Sequence, residues 1–422
     1  MMHTVPLAFF DSLEYVKKQT PRHHLSQTQK NDFLVILSFL KSYTGSIGTF
    51  NSYRMEIERL LHWCLLIANK SIKQLKREDI EAFVRFCQKP KKSWIGIKKA
   101  PRFIEKEGLR IPNPEWRPYV ATLSKAAFRK GKKPDINQFK LSNGAFKQLF
   151  AILSTFYNYL LQEEYVRANP VALIRQKSKF IRKQQGTPKI RRLSELQWQY
   201  TINTAKKLAE NDADIHERTL FIMSILYSMY LRISELTASS RWIPTMNHFQ
   251  RDGDGNWWFT TVGKGNKQRQ IAVSNTMLIA LKRWRKHLDL SPLPSPADTS
   301  PLLPKTKGKG PITCTSYIRK IVQYCFDRTM EALRKDGFTE EAESLIEATV
   351  HWLRHTGISD DVKHRPREHV RDDAGHSSSA TTDKYIDIEL KERHRSAKNK
   401  PIELKQQTPI AVLDRLCSRR QK

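Results

Sequence analysis

The sequence has few cysteines and no long apolar run. Its 422 residues include 5 cysteines, which are scattered and form no CxxC pair. This spacing excludes a disulfide framework and a cysteine-based zinc site, and it indicates reduced thiols in a cytoplasmic protein. No run of about 18 apolar residues is present, so we predict no membrane span. The first residues, MMHTVP, place no basic segment before an apolar core, which argues against a secretory signal.

Acidic residues are also scarce relative to basic ones. The chain has 42 Asp and Glu against 74 Lys and Arg, a formal net charge of +32. Hydrophobic residues make up 39% and aromatics 10%, which is enough for packed cores and excludes a disordered polycation. A polyanionic partner fits this surplus, because basic groups that neutralise phosphates release counterions and so drive association. Charge alone favours nucleic acid and leaves open an anionic membrane surface, an acidic protein partner or a ribosomal role.

The first half of the chain has the periodicity of a helical bundle. Apolar residues recur at helical spacing over 33–40, 55–64, 80–86 and 146–160. The stretch at about 90–140 is basic and carries Trp94, Trp116 and several prolines. We predict that it is an insertion with loops whose basic side chains are available to DNA.

The pattern changes near residue 190. Residues 174–192 hold eight Lys and Arg and no acid, which favours a linker that follows DNA. Helical segments are then predicted near 194–209 and 216–238, and strands at 257–262 and 270–273 with a hairpin tip at 263–267. Helices resume beyond a loop at 291–304. The predicted domains are an extension at 1–24, a helical domain at 25–178, a linker at 179–192, a mixed domain at 193–400 and a tail at 401–422.

Arginine, lysine and histidine stand at several positions suited to an anion. Arg232 follows an apolar helix in LRISEL, where an arginine is usually held in an ion pair, here with Glu235. Lys264 lies at the hairpin tip and can reach into a groove. His351 and Arg354 stand three apart in HWLRH, so on a helix they share a face and can converge on one anion.

Two further residues follow toward the end of the chain. His376 comes after Gly375 in AGHS, and Tyr385 lies nine residues later in TTDKY. A lone tyrosine in such a place is usually a packing residue. Each of these positions is unspecific when it is taken alone.

Three motif interpretations can be rejected. His351 and His355 stand four apart, but Trp352 occupies the place of the glutamate in a zinc-protease motif, and Arg354 lies between them. The segment 252–263 begins like a calcium loop and lacks its glycine and glutamate. Gly263-Lys264-Gly265 lacks the remaining residues of a Walker phosphate loop.

Taken in order, these motifs resemble one known family. LRISEL, VGKGNKQR, HWLRHT, AGH and TTDKY are similar in type and order to the motifs of the tyrosine recombinase (phage integrase) family. The resemblance covers about 220–390. Carried over by position, the candidate catalytic residues are Arg232, Lys264, His351, Arg354, His376 and Tyr385. The upstream helices resemble the core-binding domain of this family, with much less specific motifs.

The resemblance implies a fold and a chemistry. The fold is mainly α with a small β-sheet, an α+β catalytic domain joined to a helical N-terminal core-binding domain in a two-domain C-shaped DNA clamp. Tyr385 attacks a DNA phosphodiester and keeps the 3′-phosphate, while Arg232 and Arg354 neutralise the phosphate and Lys264 protonates the leaving 5′ oxygen. No cofactor and no metal is required.

The resemblance also implies partners. These are double-stranded DNA with inverted-repeat core sites and three further copies of the chain in a homotetrameric synapse. Accessory DNA-bending proteins are a further class of partner. An apolar stripe in the tail, at 410–417, either docks on a neighbouring subunit or packs on its own domain. We expect no membrane partner and a place in the cytoplasm of a prokaryote, associated with the nucleoid.

Several residues depart from the family pattern. Met229-Tyr230 precede Leu231-Arg232 where relatives usually carry a small residue, and Ala374 replaces the usual leucine. An acidic segment at 331–347 resembles an insertion. The biological task that we prefer is integration or excision of a mobile element, because the housekeeping resolvases of this family are shorter and lack the basic insertion. The alternatives are a type IB topoisomerase and a non-catalytic DNA-binding protein.

Overall fold

The chain forms two compact units in a computed structural model. The units are Met1–Thr187 and Pro188–Lys422. The structure describes residues 5–19, 25–43, 45–172, 174, 191–263, 265–376 and 397–398. Lys264, Tyr385, most of the predicted linker and the whole predicted tail lie outside these ranges. Within them, no helix combines the length and the apolar character that crossing a membrane needs.

Helices build the first unit. They are α1 (Gln27–Ser42), α2 (Ile47–Trp63), α3 (Arg77–Gln88), α4 (Lys125–Arg129) and α5 (Asn143–Gln162). Ser26, Ser46 and Ser142 cap α1, α2 and α5 by accepting a hydrogen bond from a backbone N–H in the first turn. The predicted apolar stripes lie on α1, α2, α3 and α5 and meet in one core. The predicted helical bundle is confirmed.

The predicted insertion contains regular structure as well as loops. Strand β1 (Ile95–Gly96) pairs in parallel with β4 (Tyr119–Val120), and β2 (Phe103–Lys106) forms a hairpin with β3 (Leu109–Pro112). Its tryptophans, Trp94 and Trp116, are only 1% and 7% exposed. The prediction of an insertion made of loops is therefore incomplete, because these large aromatic side chains pack into the unit.

Helix α2 carries polar side chains that are buried by distant parts of the chain. Arg59 donates to the Pro118 carbonyl at 2.9 Å, and the His62 ring lies 3.0 Å from the Leu7 carbonyl. Residues near the N-terminus, including Phe9 and Phe10, belong to the same core. The polar face of α2 is thus covered on one side by the N-terminal segment and on another by the insertion.

The second unit combines helices with a small sheet. The helices are α6 (Glu195–Asn211), α7 (Ala213–Ser228), α8 (Asn275–His287), α9 (Thr315–Lys335), α10 (Thr339–Leu345), α11 (Val350–Asp361) and α12 (Arg367–Ala374). The antiparallel sheet has the order β5 (Phe249–Arg251), β6 (Trp257–Val262), β7 (Gln268–Ala272). Val262 pairs with Gln268, so the described residues 263 and 265–267 form the hairpin tip as predicted. The predicted fold class, mainly α with a small β-sheet, is confirmed.

Helix α7 is shorter than the sequence pattern suggests. The predicted segment ran to residue 238, whereas α7 ends at Ser228. Tyr230 then takes a left-handed backbone conformation with φ +48°, and Arg232 is extended. A left-handed residue cannot continue a right-handed helix, so α7 ends here. The apolar pattern of the sequence continues past this point and therefore overestimates the length of the helix.

Gly357 allows α11 to pack closely on α7. A Cβ atom at this position would lie 2.0 Å from the Tyr227 carbonyl oxygen, well inside van der Waals contact. The backbones of the two helices therefore meet at a point where only glycine fits. Because α11 carries His351 and Arg354, this contact also fixes the position of these two residues relative to the C-terminal end of α7.

We expect Gly357→Ala to lower the free energy of unfolding of the second unit by about 2–3 kcal/mol, because the methyl group forces the two helices apart. Chemical denaturation followed by circular dichroism measures the change. Gly253→Ala is the matched control, since a Cβ there meets no atom within 4 Å and the residue has no left-handed φ. Equal stability of the two variants would contradict the close contact.

Candidate active site

Arg232 stands at the turn that follows α7. Its side chain is 29% exposed, and a guanidinium nitrogen lies 3.0 Å from Glu235 Oε1. The backbone N–H of Arg232 donates to the other Glu235 oxygen at 2.8 Å. The ion pair that the sequence suggested is thus confirmed. Glu235 holds both the side chain and the backbone of Arg232 in place.

Arg354 is buried beneath this turn. It lies on α11 with His351, as predicted, and is 2% exposed. One terminal nitrogen donates to the Tyr230 carbonyl and the other to the Ala374 carbonyl, the latter at 2.5 Å. Arg354 therefore fastens the end of α7 to the end of α12 through backbone groups.

Tyr230 explains one departure from the family pattern. A left-handed conformation costs a residue with a side chain about 1–2 kcal/mol, a cost that glycine avoids. Here the side chain is fully buried, its hydroxyl donates to Asp361, and Arg365 donates to that hydroxyl at 3.0 Å. These contacts oppose the backbone strain. They keep the Tyr230 carbonyl where Arg354 binds it.

His376 begins the segment after α12. Gly375 ends that helix in a left-handed conformation with φ +63°, and the His376 N–H then donates to the Arg371 carbonyl at 3.1 Å. The charges of Arg354 and Arg232 act on the His376 imidazole. Arg232, His351, Arg354 and His376 are therefore brought together in the second unit, as the motif order implied.

The histidines of this group are held neutral. Burial, followed by the positive charges of Arg354 and Arg232, lowers the pKa of His376 to about 4. Desolvation and the same two arginines lower the pKa of His351. The ring of His355 lies 4.2 Å from that of His351, and burial beside His351 and Arg354 lowers its pKa to about 3. Near pH 7 these imidazoles are therefore neutral, and each can take part in hydrogen bonds through its ring nitrogens.

Two predicted site residues, Lys264 and Tyr385, lie outside the described residues. The backbone that leads to Lys264 is described. A Cβ atom on Gly263 would lie 3.0 Å from Glu235 Oε1 and 3.3 Å from a guanidinium nitrogen of Arg232. The chain therefore passes directly over the Arg232–Glu235 pair before it reaches Lys264. Across the described ranges, no three His, Cys, Asp or Glu side chains are grouped so that they could share a metal ion.

Sequence reasoning missed the residues that support the site. Asp361 and Arg365 hold Tyr230, and Arg365 also binds Asp373 at 2.6 Å. In the sequence, each of these residues looks like an ordinary charged residue in a helix or at a helix end. Only the unusual tyrosine before Leu231-Arg232 signalled that a compensating partner was needed.

Comparison with known proteins identifies the family. Residues 191–392 match the model of the phage integrase family. A tyrosine recombinase XerC of Leptospira interrogans serogroup Icterohaemorrhagiae serovar copenhageni is 27% identical over 316 residues, which cover 72% of this chain and 85% of the relative. A tyrosine recombinase XerC of Xanthomonas axonopodis pv. citri is 27% identical over 213 residues, which cover 50% of this chain and 57% of the relative.

A solved structure supports the same fold. The XerH site-specific recombinase, in a post-cleavage complex with a palindromic difH substrate, has a TM-score of 0.54 at 14% identity, covering 92% of this chain and 93% of that one. The domain at 191–392 belongs to the phage integrase, or tyrosine recombinase, family. The chain is a DNA-breaking and rejoining enzyme that recombines DNA at specific sites.

We expect His376 to keep a neutral imidazole down to about pH 5, because its folded pKa is about 4. Nuclear magnetic resonance of histidine-labelled protein measures this, with His376→Asn to assign the signal. An unfolded imidazole has a pKa of about 6.5, so the unfolded state binds more protons between about pH 6.5 and 4. The free energy of unfolding should therefore fall as the pH falls through this window. Protonation of folded His376 near pH 6.5 would contradict the proposed environment.

Proposed function

We propose that the chain cuts and rejoins DNA through a covalent 3′-phosphotyrosyl intermediate on Tyr385, and that it integrates or excises a mobile element. The observation that carries the chemical part is the meeting of two arginines and two neutral histidines at one place. They come from the turn after α7, from α11 and from the end of α12. Such a group supplies the positive charge and the hydrogen bonds that attack on a phosphodiester needs.

Arg232 and Arg354 are proposed to bind the non-bridging oxygens of the scissile phosphate. Attack on an anionic diester requires positive charge where negative charge develops, and a planar guanidinium matches two phosphate oxygens. Arg232 is 29% exposed and already oriented by Glu235. Arg354 is 2% exposed, so we expect DNA binding to open this part of the site.

The proton transfers can be assigned to the remaining residues. The Tyr385 oxygen forms a bond to phosphorus while the bond to the 5′ oxygen of the next nucleotide breaks. A free tyrosine has a pKa of about 10 and must lose its proton during attack, and His351 is proposed to accept or organise that proton. Lys264 protonates the leaving 5′ oxygen, and His376 donates a hydrogen bond to the phosphate. Rejoining is the reverse reaction, so the bond energy is conserved.

The substrate and the assembly follow from the same proposal. The DNA carries inverted-repeat core sites, the core-binding and catalytic domains clamp the duplex, and four copies of the chain form the synapse. The net charge of +32 supports extensive contact with phosphates. The basic insertion at about 90–140 supports a mobile-element integrase. Accessory DNA-bending proteins would act on the same DNA in the cytoplasm of a prokaryote.

A second candidate task is the resolution of paired sites on one replicon. The curated relatives described above are named tyrosine recombinase XerC, which favours this candidate. The chemistry on Tyr385 is the same in both tasks. The location of the recombination sites, at the ends of a mobile element or at a fixed replicon site, distinguishes them.

We expect Tyr385→Phe to abolish covalent attachment to DNA while leaving site binding near the wild-type level, because only the attacking oxygen is removed. The test incubates both proteins with fragments of the source replicon, denatures them in detergent and sequences the attached DNA. Adducts at one short inverted repeat, formed only by the wild type, support the proposal. Adducts with the phenylalanine variant would refute the nucleophile, and adducts without sequence preference would point to a topoisomerase.

We expect Lys264→Ala to slow cleavage and to be rescued by a 5′-bridging phosphorothiolate. The sulfur leaves without a proton, so a missing general acid no longer matters. Single-turnover cleavage of the two substrates measures the rescue. Lys267→Ala, an exposed lysine on the same hairpin tip, is the matched control and should cleave both substrates like the wild type. A defect in Lys264→Ala that persists on the phosphorothiolate would remove Lys264 from this role.

A further inference from the structure

Arg269 uses its whole guanidinium group within the protein. It lies on β7 with its side chain 10% exposed. Its two terminal nitrogens bind the two oxygens of Glu235, each at 2.8 Å, and Nε donates to the Asp373 carbonyl at 2.9 Å. This forked geometry is the strongest form of an arginine–carboxylate contact. Arg269 thereby connects the turn after α7 with the last turn of α12.

Glu235 is shared between Arg269 and Arg232. The carboxylate is 1% exposed and accepts hydrogen bonds from both guanidinium groups. Burial acts to raise the pKa of Glu235, but the hydrogen bonds and charge of Arg269, with Arg232, outweigh it and lower the pKa. A carboxylate neutralised by Arg269 orients Arg232 without cancelling its charge. Without Arg269, the negative charge of the buried Glu235 carboxylate would be balanced by Arg232 alone.

Two glycines lie very close to the Arg269 side chain. A Cβ atom on Gly263 would lie 3.0 Å from a terminal nitrogen of Arg269, and one on Gly375 would lie 2.7 Å from its Cδ. Gly263 directly precedes Lys264, and Gly375 directly precedes His376. The same side chain is therefore in contact with the backbone that leads into two candidate catalytic residues, and it holds the carboxylate that orients a third.

We infer that Arg269 is a positioning residue that sets the relative places of Arg232, Lys264 and His376 while touching no DNA itself. The inference rests on the proposed function, because it assigns these three residues to the reaction. The forked contact with Glu235 positions Arg232. The close contact at Gly263 positions the backbone that leads to the hairpin tip, and the one at Gly375 positions the start of the segment after α12. Lysine cannot replace this side chain fully, since it keeps the charge and loses the planar fork.

The test compares Arg269→Met, which removes the charge and the fork, with Arg269→Lys. Single-turnover cleavage of a suicide DNA site is measured at saturating protein, and the Kd for the same DNA is measured separately. We expect Arg269→Met to cleave about 100-fold more slowly, as for loss of one transition-state contact, with a Kd within about threefold of the wild type. Arg269→Lys should cleave about tenfold faster than Arg269→Met and therefore about tenfold more slowly than the wild type.

Arg285→Met is the matched control. Arg285 is 1% exposed in the same unit and binds Asp298 at 2.6 Å, away from the site residues. It should lose stability as Arg269→Met does and still cleave at the wild-type rate per folded molecule. Wild-type cleavage by Arg269→Met, or equal losses in the two methionine variants, would overturn the inference. If Arg269→Met does not fold, the test relies on Arg269→Lys. Cleavage by Arg269→Lys at the wild-type rate would then show that the forked contact with Glu235 is not required, which overturns the inference.

A second readout does not depend on catalysis. Nuclear magnetic resonance follows the Arg232 Nε–H and His376 imidazole signals in each variant. We expect both signals to move in Arg269→Met and to stay in place in Arg285→Met. If the wild type forms no adduct and these shifts still occur, the proposed function fails and the positioning role stands. If the signals stay in place in Arg269→Met, the positioning role fails whatever the activity.

Discussion

Like charges that converge on one point repel one another, and the second unit brings Arg232, Arg269 and Arg354 together. The buried carboxylate of Glu235 offsets this repulsion for two of them at distances of 2.8–3.0 Å. Arg354 is instead bound by the carbonyls of Tyr230 and Ala374. Burial first, and then the positive charges of Arg354 and Arg232, lower the pKa of His376 and keep its imidazole neutral.

The supporting contacts also explain how separate stretches of sequence act as one site. The turn after α7, the hairpin and the end of α12 are joined by ion pairs and by backbone contacts at Gly263 and Gly375. Tyr230 joins the same turn to α11 through Asp361. Since these contacts share partners, displacement of one segment disturbs the others. The relative positions of Arg232, Arg354 and His376 therefore depend on all of these contacts together.

Local patterns in the sequence predicted local structure well. The strand at 257–262, the hairpin tip and the shared helix face of His351 and Arg354 follow from spacing alone. The end of α7 was missed because backbone handedness at Tyr230 leaves no trace in apolar periodicity. Arg269 was within a quoted motif, but its partners lie 34 and 104 residues away, and no local rule connects them. Contacts of that kind depend on the tertiary fold.

The polar face of α2 has a consequence for the order in which the first unit forms during synthesis. Arg59 finds its carbonyl partner 59 residues further along the chain, at Pro118. A nascent chain that ends before this point leaves a buried arginine site without its acceptor, and contacts of large sequence separation form slowly. The N-terminal segment, whose Leu7 carbonyl contacts His62, is already available by then. Closure of this unit on the ribosome must therefore wait for the insertion and then for α5, which follows the insertion in the chain and also packs on α2.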